Sequence, residues 1–233
     1  MSTRSWAWRA EDMSKGSLVS GETRSRVRAL IEPLALAMSR AGLTPNMLTL
    51  IGFAIAVAGG LLAALELWVL AGVVATVGAA FDMFDGAVAR ATGQVSKLGS
   101  FMDSTFDRWG EGAVYVGIVI GCTAAGLDPG AWLAAAAMAS AFMVSYTRAK
   151  SESLGFSSGT GMAAVGLAPR EVRTVILGLA LVVAGLLGVT AEMSDTGSLV
   201  LVAGLAAITV LATVTVVQRI LFVTRQSRDS ETS

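Results

Sequence analysis

Histidine is absent from this 233-residue sequence, and cysteine occurs once. Without histidine there is neither the usual general base near neutral pH nor the commonest metal ligand, so catalysis would have to rest on carboxylates, hydroxyls and basic side chains. The lone Cys122 allows neither a disulfide framework nor a thiolate metal cluster, and its place in an apolar run makes it a packing residue. Charge is scarce too. Only 15% of residues are charged and the net charge is zero, which gives no reason to expect a nucleic-acid partner. Hydrophobic residues make up 54% of the chain and the mean hydropathy is +0.69, a composition of membrane proteins rather than soluble domains.

The hydropathy pattern predicts an all-α integral membrane protein with six transmembrane helices and an N-terminal amphipathic interfacial helix. Residues 1–22 are polar and turn-rich and form a flexible tail; Met13 offers a second translation start, and no cleavable signal peptide is expected. Over 23–41, Val27, Leu30, Ile31, Leu34 and Met38 recur at helical spacing beside Arg24, Arg26, Arg28 and Arg40, as suits a helix lying on an anionic membrane surface. Thr44 and Pro45 then supply a cap and a first turn. The expected spans are 44–65, 67–92, 98–126, 129–153, 170–191 and 196–224, inside one membrane domain over 23–225, with a polar tail at 226–233. The uncharged runs at 67–81 and 112–127 are shorter than the roughly 20 residues that a bilayer core needs, so their helices must continue through charged residues. All seventeen Lys and Arg fall in the N-terminal tail, at 82–108, at 148–173 or from Arg219 onward, which places both termini on the cytoplasmic side of the cell membrane.

Against that background the stretch Asp82 to Asp107 is an anomaly, because ionisable side chains at membrane depth are costly unless they have partners or a task. Asp82 and Asp85 are three residues apart and Asp103 and Asp107 four, so each pair shows its carboxylates from one helix face. Four such charges together must take up protons or bind cations. Oxygen-only ligands favour Mg2+ or Mn2+, and four acids suit two ions. Gly86 and Gly99 clear space beside the acids, and Arg90 stands ready to neutralise a phosphate. Together these features point to metal-assisted phosphoryl transfer, with a structural ion-pair cluster as the plainer alternative. Glu111 extends the Gly99, Asp103, Asp107 stripe by one turn, and a partnership with Arg108 or another basic residue is expected of it.

The pattern Asp82-x2-Asp85-Gly86-x2-Ala89-Arg90-x8-Gly99-x3-Asp103-x3-Asp107 resembles, without departure, the signature of the CDP-alcohol phosphotransferase family of membrane enzymes. The resemblance implies that Asp82, Asp85, Asp103 and Asp107 bind two divalent metals and that Asp107 also takes the proton of the attacking hydroxyl. It further implies that Gly86, Arg90 and Ser96 contact the CDP group of CDP-diacylglycerol, with Asn46 and Thr49 nearby. The acceptor must be sought outside the signature. Ser145 and Arg148 close the fourth span, Arg170 and Arg173 open the fifth, and Arg219 closes the sixth; arginines gathered at membrane depth suit a phosphorylated polyol. Within the family this arrangement looks like the phosphatidylinositol phosphate synthases, which implies inositol 1-phosphate as acceptor. Arg148 stands where Lys is common there, and Pro169-Arg170-Glu171-Val172-Arg173 departs from the usual Glu-Arg-Pro-Glu-Arg. Glycerol 3-phosphate is the nearest rival acceptor, and a cation or metabolite carrier is the rival of another class. A homodimer is expected, and Gly117-x3-Gly121 suits either its interface or internal packing. The Gly155–Gly166 loop lacks a Walker ending and reads as a flexible link.

Overall fold

A computed structural model gives the protein's structure over residues 33–156 and 166–231, the side chains of Asp82, Met83 and 229–231 excepted. The expected tail at 1–22, the Met13 start, most of the interfacial helix and most of the Gly155–Gly166 loop lie outside the described residues. Of the interfacial helix, 33–40 is described and is helical, with Ala35 buried and Met38 packed near Leu48 and Val88.

Six further helices follow in chain order: α1 Pro45–Ala64, α2 Trp68–Ala91, α3 Lys97–Ala124, α4 Asp128–Ser153, α5 Arg170–Leu187 and α6 Thr196–Glu231. No strand occurs among the described residues. Local chemistry sets several ends. Thr44 Oγ1 accepts from the Met47 amide at 3.3 Å with Pro45 in the first turn, and Ser96 Oγ accepts from the Gly99 amide at 2.9 Å, so α1 and α3 each start on a hydroxyl cap. Helix α5 stops at Leu187, short of the expected 191, because Gly188 turns to φ +88° and breaks the ladder. Helix α6 runs past the expected 224 into the polar residues beyond it, where no Gly or Pro intervenes before Glu231.

Four helices are long and apolar enough to cross a bilayer: α1, α2, α4, and α6 over Thr196–Arg228. Helices α3 and α5 carry charge inside the lengths that would have to cross, with Asp103, Asp107, Arg108 and Glu111 in the first half of one and Arg170, Glu171 and Arg173 in the first turn of the other. Those charges shorten their uninterrupted apolar lengths.

Packing follows the small residues. Helix α1 lies against both α2 and α3, α4 against α3 and α6, and α5 against α2 and α6. Lipid tails give apolar helices no hydrophobic reason to associate, so close backbone approach has to supply the contact. It does so at Gly60, Gly117 and Gly121. A Cβ on Gly117 would overlap the carbonyl of Gly60, and one on Gly121 the carbonyl of Ala63. The Gly117-x3-Gly121 pattern therefore serves internal packing of α3 on α1. Helices α2 and α3, which carry the acidic signature, barely touch one another. Both are held by α1, which leaves space between their acidic faces.

Candidate active site

The N-terminus of α1 enters the signature from the side. Thr49 Oγ1 donates to Asp85 Oδ2 at 2.6 Å, and both residues are buried. Asn46, one turn earlier, lies beside α3: its Oδ1 would stand 3.6 Å from a Cβ on Gly99, and Ser96 Oγ would stand 3.0 Å from the same atom. Gly99 thus keeps open a polar niche bounded by Asn46 and Ser96. Gly86 serves Arg90 in a similar way, since a Cβ there would meet the Arg90 guanidinium at 3.2 Å. Arg90 itself is exposed.

The second half of the site is a network of guanidiniums around Asp107 and Glu111. Arg170, in the first turn of α5, donates to Asp107 Oδ2, and Arg108 Nη2 approaches the same oxygen at 3.4 Å. Arg108 Nη1 donates to Ser145 Oγ on α4 and pairs with Glu111 at 3.5 Å. Glu111 in turn receives Arg173 Nη2 at 3.1 and 3.4 Å. Arg173 is 1% exposed, donates to the Ala168 carbonyl at 3.0 Å, and its Nε has no partner among the described residues. Buried Arg219, near the end of α6's apolar length, donates to the carbonyl of Val144, the residue before Ser145.

A cleft runs between α1, α2, α3 and α5, lined at the charged end by Thr49, Asp107, Glu111, Arg170 and Arg173 and elsewhere by Thr76, Val114 and Leu177. Thr76 precedes Asp85 by nine residues, about 13 Å along α2. The cleft is thus polar at one end and apolar at the other, as a lipid carrying a charged head requires. Arg170 and Arg173 bring guanidiniums to the polar end, each held there by a carboxylate, Asp107 for the first and Glu111 for the second.

Of the residues singled out from sequence, the structure brings Asn46, Thr49, Asp85 and Ser96 toward one another around the start of α3. It gathers Asp107, Ser145, Arg170 and Arg173 into the second network, with Arg219 beside the Ser145 turn. Arg148 is placed differently: it is half-exposed and pairs with Glu152 on its own helix at 3.0 Å. Asp103 is partly buried one turn before Asp107, and the Asp82 side chain lies outside the described residues. Among the described residues no three acids converge on one point. The donors present, carboxylate oxygens with no sulfur or imidazole among them, fit a hard divalent cation, and the loose contact between α2 and α3 leaves it room. Arg108 was not among the expected site residues. Its i,i+3 spacing to Glu111 was the available signal.

The CDP-alcohol phosphatidyltransferase family model matches residues 42–224. An archaetidylinositol phosphate synthase of Pyrococcus horikoshii is 38% identical over 158 residues, covering 67% of this chain and 79% of that protein. A phosphatidylinositol phosphate synthase of Cutibacterium acnes is 34% identical over 199 residues, covering 84% of this chain and 93% of that protein. Crystal structures of the Mycobacterium tuberculosis phosphatidylinositol phosphate synthase superpose as well. The one with CDP-DAG bound has a TM-score of 0.71 at 28% identity, covering 84% of this chain and 94% of that one. The complex with manganese and citrate also has a TM-score of 0.71, at 29% identity, covering 83% and 88%. The signature on α2 and α3, the polar cleft above an apolar interior and these likenesses lead to one conclusion: the chain belongs to the CDP-alcohol phosphatidyltransferase family of membrane-embedded phospholipid-synthesising enzymes.

Proposed function

We propose that this enzyme transfers a phosphatidyl group from CDP-diacylglycerol to inositol 1-phosphate, releasing CMP and forming phosphatidylinositol phosphate. The observation that carries the choice of a phosphorylated acceptor is the guanidinium network beside Asp107: Arg170 touches that carboxylate directly, and Arg108 links it to Ser145. Donors for a phosphate thus stand next to the group that would receive the proton of the attacking hydroxyl. The names of the P. horikoshii and C. acnes relatives point to the same acceptor.

In this reading Asp82, Asp85, Asp103 and Asp107 hold two Mg2+ or Mn2+ ions, which when bound stabilise the charge of the pyrophosphate and of departing CMP. Thr49 fixes the Asp85 carboxylate by its hydrogen bond. Asn46, Ser96, Gly86 and Arg90 embrace the CDP group from α1, α2 and the head of α3. Ser145, Arg170, Arg173 and Arg219 hold the phosphate of the acceptor; Arg148, paired with Glu152, is not counted among them. Asp107 takes the proton from the acceptor hydroxyl, whose oxygen bonds to the phosphorus on the lipid side as the bond from that phosphorus to CMP breaks. No covalent enzyme intermediate is needed.

The same reading sets the domain at 23–225 in the cell membrane as six spans, α3 and α5 included, behind an interfacial helix at 23–41. Both termini and the site face the cytoplasm, and two copies form a homodimer. The one-sided distribution of Lys and Arg supports the orientation.

Purified protein given CDP-diacylglycerol and Mg2+ is expected to release CMP with inositol 1-phosphate and little with glycerol 3-phosphate. Release with glycerol 3-phosphate alone would instead identify a phosphatidylglycerol phosphate synthase.

A further inference from the structure

We infer that Glu111, which stands outside the acidic signature, is a positioning residue for the phosphate of the acceptor, fixing Arg108 and Arg173 beside Asp107. The inference rests on the reading above in one respect, that the acceptor carries a phosphate.

Glu111 lies one turn after Asp107 on α3 and its side chain is 11% exposed. A carboxylate so enclosed in an apolar bundle needs partners, and it has two, drawn from different elements. Arg173 comes from α5, 62 residues away, and places Nη2 against both Glu111 oxygens. Arg108 comes from α3 and places Nη1 at 3.5 Å, where it also donates to Ser145. The carboxylate is therefore the shared anchor of two guanidiniums that would otherwise repel each other. It also spares a donor. With Nη2 held by Glu111 and Nη1 by the Ala168 carbonyl, Arg173 is left with a buried Nε that has no partner among the described residues, and Arg173 lines the same cleft as Asp107 and Arg170. A buried N–H without a partner is costly and is accounted for if an anion completes it. Arg108 is balanced as well. Its guanidinium lies 3.4 Å from Asp107 and 3.5 Å from Glu111, so loss of the Glu111 charge would draw it toward the carboxylate that must accept a proton.

The test uses the full-length enzyme in detergent with Mg2+ and saturating CDP-diacylglycerol while inositol 1-phosphate is titrated. Glu111→Ala would leave Arg173 Nη2 buried with neither counter-charge nor acceptor and prone to unfold, so Glu111→Gln, which keeps an acceptor oxygen, and Glu111→Asp, which keeps the charge, are the informative variants. Glu111→Gln is expected to raise KM for inositol 1-phosphate about tenfold or more, the scale of a charge-assisted hydrogen bond, while KM for CDP-diacylglycerol stays within about twofold. Glu111→Asp, which keeps the charge, is expected to recover most of the loss. Equal changes in both KM values, or lower thermal stability with both KM values unchanged, would overturn the inference. If Glu111→Gln is too slow to assay, thermal stabilisation by each substrate decides: loss of the inositol 1-phosphate effect alone supports positioning, and loss of both effects overturns it. Should the wild type use glycerol 3-phosphate instead, the acceptor proposed above falls and the same titration with that phosphate still tests Glu111. Exclusive use of unphosphorylated inositol would overturn both.

Discussion

Asp107→Asn is expected to lower CMP release by about a thousandfold, the scale lost when a general base is removed, with the folded protein retained. Asparagine has the size of aspartate and lies at the polar end of the cleft, away from the glycine contacts that hold α3 to α1. Its amide cannot accept the hydroxyl proton and makes a poor ligand for a hard cation. The ion pair with Arg170 is lost with the charge, but that side chain is 22% exposed and can be solvated rather than stranded. Thermal unfolding in detergent alongside the CMP assay separates the two effects. A variant that unfolds near the wild-type temperature and keeps more than a tenth of the activity would remove Asp107 from its proposed role.

Arg173→Ala is expected to act mainly on stability, costing about 3 kcal/mol, the lower end for breaking a buried ion pair, because Glu111 keeps only its longer contact with Arg108. The pair at stake is Arg173 with Glu111, at 1% and 11% side-chain exposure. Arg173→Lys is not conservative here: an ammonium cannot reach Glu111 and the Ala168 carbonyl with the same planar fork. Replacing both partners with apolar residues, Arg173→Met with Glu111→Leu, is expected to recover part of the lost melting temperature while leaving the enzyme poorly active. Thermal melts of the single and double variants check this. Additive losses in the double variant would mean that the two side chains do not stabilise each other.

The elements were legible where one residue's chemistry decides them. Thr44-Pro45 announces the start of α1, and an all-helical membrane chain follows from long uncharged runs with nowhere to satisfy backbone groups except within helices. Helix ends were less legible. Gly188 stops α5 because its backbone turns left-handed, which the surrounding apolar residues do not announce, and α6 continues past its apolar limit because polar residues are adequate helix formers. The destination of the Gly117-x3-Gly121 face could not be read either, since a small-residue stripe states that something approaches closely without saying what. It is α1, at Gly60 and Ala63.

The same division runs through the site. Carboxylate spacing within one helix is a local property, so the faces of α2 and α3 were visible in the sequence, as was the expectation that Glu111 would have a basic partner. Which arginine becomes buried is a tertiary property. Nothing local distinguishes Arg173, enclosed against Glu111 and Ala168, from Arg148, which turns outward to an i,i+4 partner at Glu152. Arg108 is legible in the sequence as a partner of Glu111 but not as a site residue, because it follows the signature rather than belonging to it. In the folded chain it connects Asp107, Glu111 and Ser145.

We propose a mechanism in which the acids of α2 and α3 act through divalent metal to move a phosphatidyl group between a lipid nucleotide and a phosphorylated alcohol. Its most direct test is CMP release by the purified, chelator-treated enzyme supplied with CDP-diacylglycerol and inositol 1-phosphate. The account predicts no release above background until Mg2+ or Mn2+ is restored, and none with metal when the acceptor is withheld. Undiminished release in excess chelator would contradict it.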